Sequence, residues 1–138
     1  MGSPWQAVPM PDIAEPEINI PEMVAEVEAA FYRYEAGLNA NDVAVLDSTF
    51  RDAPYTIRYG LAENLYGFDE IAAFRSARTA PGARTISRTV ITTFGRDFAT
   101  ASTLFQRGDN GRLGRQMQSW VRFPEGWRVV AAHVSWMS

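Results

Sequence analysis

GRLGRQMQSWVRFPEGWRVVAAHVSWMS, residues 111–138, is the stretch that decides the fold. Two runs rich in Val, Trp and Phe, about Leu113–Phe123 and Trp127–Trp136, flank Pro124-Glu125-Gly126. Proline and glycine between two β-rich runs mark a hairpin. Alternation along the first run puts Gln116 and Gln118 on one face with Trp120. Strict alternation along the second puts His133 with Val129, Ala131 and Ser135. A polar side chain in such a strand needs a partner or a cavity, because a buried polar group left unpaired costs roughly 1–3 kcal/mol. Polar groups from both strands therefore point to a pocket wall.

Two more strands precede this hairpin, about Thr85–Phe94 and Phe98–Arg107. Gly95-Arg96-Asp97 and Gly108-Asp109-Asn110-Gly111 supply the turns. The four strands form an antiparallel meander. Upstream, Pro21 opens a helix with Glu22, Glu26 and Glu28 early, a favourable charge placement at a helix N-terminus. Its apolar stripe is Val24, Val27, Phe31, Tyr34 and Leu38. Gly37 and Asn39 mark its end, and Asn41 or Asp42 caps a shorter helix bearing Val45, Leu46, Thr49 and Phe50. Tyr55–Gly60 and Glu63–Gly67 read as short β elements. Asp69 and Glu70 begin a third helix with Ile71, Phe74 and Arg78 on one face, ended by Pro81-Gly82. Helices on one side of a curved sheet make an α+β layered domain, and its hollow is a place for a ligand. Residues 1–17, with Pro4, Pro9, Pro11 and Pro16, read as an extended arm. Residues 18–138 read as a single domain.

The 138 residues are 46% hydrophobic and 21% charged, so the chain is globular rather than disordered. There is no cysteine, which excludes disulfide, thiol and thiolate–metal chemistry. With a single histidine, no metal site is expected. No run of 18 apolar residues is present and no basic, apolar leader opens the chain, so a cytoplasmic protein without a membrane partner is expected. All 13 basic residues are arginines, and all but Arg33 lie in residues 51–138. A pI near 5.1 with no basic run speaks against nucleic acid. Clustered guanidinium forks suit a small carboxylate ligand. An arginine-rich genome would give the same composition.

Several residues are candidates for chemistry. Tyr34 sits on the buried stripe, where its hydroxyl is either a core donor or a proton donor in the hollow. Arg58 lies between Ile57 and Tyr59, so it faces away from both. Arg75 and Arg78 lie on the third helix, and Arg78 continues the apolar stripe, where a charge needs a partner such as Glu63 or a ligand carboxylate. Gln116, Gln118 and His133 could orient a polar ligand, with His133 the natural base near neutral pH. No G-x-S-x-G, S-x-x-K or phosphate-binding glycine loop is present. Any reaction would therefore proceed by positioning, electrostatics and proton transfer, with no cofactor.

The segments AAFYRYE (29–35), TIRYG (56–60), ENLYG (63–67), IAAFRSAR (71–78) and GRQMQSWVRFPEGWRVVAAHVS (114–135) together resemble the AtzH-like family of NTF2-like (SnoaL-like) domains. The resemblance covers about residues 18–138. It implies an NTF2-like cone of three helices on a curved, mainly antiparallel sheet. It also implies an amidohydrolase that converts 1,3-dicarboxyurea to allophanate in cyanuric acid or related nitrogen catabolism, with decarboxylation as a variant. Tyr34 and Arg58 fall on the family's proposed catalytic pair. Arg75, Arg78, Gln116, Gln118, His133, Glu63 and Asn64 are the expected substrate contacts. The partners expected are a small anionic substrate, a second copy docked through the sheet, and a functional link to an amidase. Trp120, Trp136, Phe94 and Phe105 could furnish the apolar surface for that second copy.

Two other readings compete. An isomerase or dehydratase of this fold would need a carboxylate base, for which Glu63 is the plausible residue, or two histidines, where this chain has one. A non-catalytic accessory module would bind small carboxylates for a neighbouring amidase without turning them over.

Overall fold

A computed structural model describes residues 11–108 and 111–138. Helices α1 (Pro21–Ala40) and α2 (Val43–Thr49) come first, followed by the short strands β1 (Ile57–Tyr59) and β2 (Asn64–Tyr66). Helix α3 (Phe68–Ala77) leads into β3 (Thr85–Phe94), β4 (Phe98–Gln106), β5 (Gly114–Phe123) and β6 (Gly126–Trp136). The six strands form one sheet in the order β2-β1-β6-β5-β4-β3. Every pairing is antiparallel except β1 with β6, which is parallel. The meander is thus extended by the short β element, which returns to the free edge of β6. The first ten residues of the expected arm, and Asp109-Asn110 of the third turn, lie outside the described residues. The arm's end meets the β3–β4 turn, where Gly95 N donates to Glu17 O at 2.9 Å, and the domain's first residues pair with β3: Asn19 N donates to Thr93 O at 3.0 Å, and Thr93 N donates to Asn19 Oδ1 at 2.9 Å.

The helices cover one face of the sheet. Met23, Val27, Phe31, Tyr34, Glu35, Gly37 and Leu38 are the buried side of α1. Met23 takes the place expected for Val24, which is half-buried. Gly37 lies inside the helix, and the chain turns out at Asn41, a left-handed residue with φ 52°. A Cβ on Gly37 would sit 2.7 Å from Val45 Cγ1, so the glycine lets α2 cross close to α1. Asp42 caps α2 by accepting from Val45 N at 3.2 Å. On α3 the buried residues are Ile71 and Arg75, four apart on one face. Arg78 lies just past the helix in extended conformation, so it does not continue the stripe.

The inner face of the sheet is read strand by strand. β4 turns in Ala99, Ala101, Thr103 and Phe105, and β5 turns in Gly114, Gln116, Gln118 and Trp120. On β6 the inward residues are Trp127 and Val129, then Ala132 and Val134. The parity changes because Ser119 pairs with Ala131 while Trp120 pairs with Val129, leaving Val130 as a one-residue bulge. The bulge lies where the β6 edge changes partner: Phe50 bridges Val129, and β1 pairs from Ala131 onward. A one-residue shift moves every later side chain to the other face.

Trp120 and Phe105 are fully buried in the core, so they do not furnish an outer surface. The large apolar side chains exposed on β3, β4 and β5 are Val90, Phe94, Phe98 and Met117. Among the described residues, no helix is long and apolar enough to cross a membrane.

Candidate functional site

Along α1 the core changes character within one turn, from Phe31 to Tyr34, Glu35 and Leu38. Glu35 is four residues after Phe31 and three before Leu38, so it sits on the buried face. A buried carboxylate needs a cation, and the segment leading into β3 supplies Arg84. Arg84 forms an ion pair with Glu35 through Nη2, and its Nε donates to Glu35 Oε2 at 3.2 Å. Its backbone N–H is held by Asn39 Oδ1 at 3.0 Å. The remaining reach of Nη2 goes to Gln116 Oε1 at 2.9 Å.

The site is a cavity of about 280 Å³ bounded by Tyr34, Arg58, Glu63, Phe74, Arg78, Arg84, Phe105, Arg107 and Gln116, with Leu38, Leu61 and Val134 as apolar wall. That is at the small end of ligand sites, which run to about 1,000 Å³. Four of these residues are arginines, and only one is a carboxylate.

The arginines fall into two pairs, each against one aromatic ring. Arg58 and Arg78 lie with Cζ 5.6 Å and 5.4 Å from the Phe74 centroid. Arg84 and Arg107 lie 4.7 Å and 5.8 Å from the Phe105 centroid. In each pair one guanidinium has a carboxylate. Arg58 Nη1 donates to Glu63 Oε1 at 2.9 Å, and Arg84 is paired with Glu35. Neither Arg78 nor Arg107 has a carboxylate within 4 Å among the described residues. Arg107 donates instead to the carbonyls of Pro81 and Gly82. Burial pushes both guanidiniums below the ordinary arginine range, with the repulsion of Arg58 and Arg75 adding for Arg78 and that of Arg84 for Arg107. Tyr34 lines the same cavity and is within electrostatic reach of one arginine of each pair, Arg78 and Arg107.

Local backbone explains how Arg58 and Glu63 meet. Gly60 N donates to Glu63 O at 2.9 Å, closing the β1–β2 turn. A Cβ on Gly60 would lie 1.7 Å from Glu63 Oε1, so only glycine leaves room for that carboxylate. Glu63 Oε2 also accepts from Ala62 N at 3.1 Å. Parallel pairing with β6 sets Arg58 beside Ala132, both inward, and Tyr59 beside His133, both outward.

Two buried donors at the cavity have no partner: Gln116 Nε2 and Arg78 Nε. Native interiors rarely leave such atoms orphaned.

Of the residues expected from sequence, the structure brings Tyr34, Arg58, Glu63, Arg78 and Gln116 to one cavity. Arg75 and Gln118 are buried and do not line it. Arg75 donates to Leu46 O at 3.0 Å, stands 3.6 Å from Asp47, and lies 4.2 Å from the Phe50 centroid. Desolvation lowers its pKa. Gln118 accepts from Trp120 Nε1 at 3.2 Å. Asn64 is exposed on the edge strand. His133 is exposed on the outer face, edge to face with Tyr59 at 5.9 Å, because the bulge at Val130 reverses the alternation that would have turned it inward. Sequence reasoning passed over Arg84, Arg107 and Glu35. The Phe31–Glu35–Leu38 spacing carried the signal: a carboxylate on a buried stripe requires a cation from elsewhere.

Three solved structures resemble the chain. One is a protein of unknown function from Pectobacterium atrosepticum, 57% identical, covering 88% of this chain and 95% of that one, with a TM-score of 0.85. The second is a cystatin-like fold protein from Burkholderia xenovorans, 47% identical, covering 89% and 98%, with a TM-score of 0.85. The third is an NTF2-like protein of unknown function from Pseudomonas putida, 16% identical, covering 83% and 86%, with a TM-score of 0.70, a likeness of fold alone. No curated protein matches the chain. The AtzH-like family model matches residues 16–138, and with that extent the chain belongs to the AtzH-like family, on an NTF2-like fold.

Proposed function

We propose that the cavity binds a small dicarboxylated urea and cleaves one of its terminal carboxylates, converting 1,3-dicarboxyurea to allophanate. The observation that carries this reading is the excess of arginine over carboxylate around Tyr34: four guanidiniums face one lining carboxylate, and two of the four have no acidic partner. A dianion restores the balance, and paired guanidiniums match carboxylates in a planar, bidentate way. Membership in the AtzH-like family supports the substrate class and a place in cyanuric acid or related nitrogen catabolism.

Arg58, aimed by Glu63, and Arg78 hold one carboxylate of the substrate. The Tyr34 hydroxyl donates its proton to the adjoining urea nitrogen. The bond from that nitrogen to the carboxylate carbon breaks, its electron pair stays on nitrogen, and carbon dioxide leaves. Solvent reprotonates the phenolate, and the product is allophanate. In the hydrolytic variant, water adds to the same carbon and the carboxylate departs as bicarbonate. The fixed positive charge stabilises the dianion before cleavage, and the proton transfer removes the barrier to expelling a nitrogen anion.

The test is carbon dioxide and allophanate formation from freshly generated 1,3-dicarboxyurea, with wild type beside Arg58→Ala. Release above the spontaneous rate that disappears in the variant is the expected result. Tight binding without turnover would replace the enzyme with an accessory carboxylate binder, and absence of both would sink the assignment.

A further inference from the structure

We infer that Arg107 and Gln116 form a second anion subsite across Tyr34 from Arg58, so that the cavity selects ligands with a carboxylate at both ends. This rests on the carboxylate-binding reading above and adds the part of the site that discriminates a dianion from a monoanion.

The two arginine pairs repeat one arrangement. Phe74 backs Arg58 and Arg78; Phe105 backs Arg84 and Arg107. Within each pair a carboxylate from the protein holds one guanidinium in place and the other has none. Each pair also carries one buried N–H without a partner, Arg78 Nε in the first and Gln116 Nε2 beside the second. Tyr34 lines the cavity with both pairs and is within electrostatic reach of Arg78 in the first and Arg107 in the second.

The orientation of Gln116 is fixed by its neighbour. Arg84 Nη2 can only donate, so the amide oxygen must face it, and the amide nitrogen is left over. Gln116 is 3% exposed, and it lines the cavity. Arg84 is itself held by Glu35 and by its backbone bond to Asn39. The chain Glu35–Arg84–Gln116 therefore presents one rigid donor. Arg107 supplies charge: its bonds to two backbone carbonyls steady the guanidinium without neutralising it. An unpartnered amide donor next to a cation is suited to a carboxylate oxygen. Glu35, Arg84 and Asn39 thus act as positioning residues.

Two probes separate one carboxylate from two. 3-Oxoglutarate replaces both N–H groups of dicarboxyurea by methylene, and acetoacetate is the same skeleton lacking one carboxylate. Calorimetric titration of the wild type with each, freshly dissolved and cold, should show 3-oxoglutarate bound at least about tenfold more tightly, the gain expected of a charge-assisted contact. Gln116→Glu keeps an oxygen for Arg84 and replaces the donor by an anion; Arg107→Gln removes the charge. In both, the preference should collapse to about onefold through loss of 3-oxoglutarate affinity, with melting temperatures confirming the fold. A preference that survives both variants, or a wild type that does not discriminate, overturns the second subsite while leaving turnover of dicarboxyurea to decide the proposed function. A wild type that binds neither probe overturns both.

Discussion

The two halves of the sheet's concave face are made from the same strands and the same helix, yet they are filled by opposite rules. At one end Trp120, Trp127, Val129, Phe31, Val27 and Leu46 pack as an apolar cluster, with Glu26 and Arg75 meeting only its edge, at Trp127 Nε1 and Leu46 O. At the other, the same β5 brings Gln116 and the same α1 brings Tyr34 and Glu35, and arginines close the gap. The first half gains from every apolar surface removed from water. The second buries guanidiniums that burial destabilises, Arg78 and Arg107, and it leaves donors unmatched. Such a half persists because the packed half over-determines the backbone on which it stands. The comparison teaches that stability and ligand recognition are divided along the strands, not between layers.

That division can be attacked from either side, beginning with the largest effect. Trp120→Ala empties the packed half and should cost about 3–5 kcal/mol, read as a shift in the denaturant midpoint. If stability barely moved, the packed half would not be what holds the sheet. Glu35→Ala strands Arg84 as a lone buried charge and should cost about 3 kcal/mol, with loss of ligand binding in the same variant. Tyr34→Phe should lower turnover of dicarboxyurea about 100-fold while leaving the thermal midpoint close to wild type. A large fall in stability instead would make Tyr34 a core residue. Gly60→Ala pushes the Glu63 carboxylate off Arg58, a shift of a side-chain end, so turnover should fall about tenfold with stability changed by less than about 1 kcal/mol. His133→Ala lies on the outer face and should leave both turnover and stability within about 0.5 kcal/mol of wild type. Lost turnover there would mean the outer face belongs to the site.

Much of the candidate site was legible in the chain. Tyr34 followed from helical spacing, and Arg58 from its place between Ile57 and Tyr59. Gln116 followed from simple alternation on β5, which stays regular through the residues facing the cavity. His133 did not, because alternation predicts a face only while no residue is inserted. The extra Val130 is set by which partners the β6 edge meets, and those partners come from Phe50 and β1, far away in sequence. Arg75 and Arg78 were both expected at the substrate, but the helix stops at Ala77, so Arg78 lines the cavity from beyond the helix while Arg75 takes the buried face and does not line it.

By itself, the sequence determined the elements, their order and the chemistry available. Periodicity, caps and turn residues are local, and composition alone makes arginine the cation and leaves no thiol. Only the tertiary structure decided which arginines meet and which remain without a carboxylate. The pairing of Arg84 with Glu35 and Gln116 joins residues 49 and 32 positions apart, and that of Arg58 with Glu63 depends on a glycine turn. Charge balance in a buried site is a property of neighbours in space, and neighbours at such separations are fixed by strand register and helix packing.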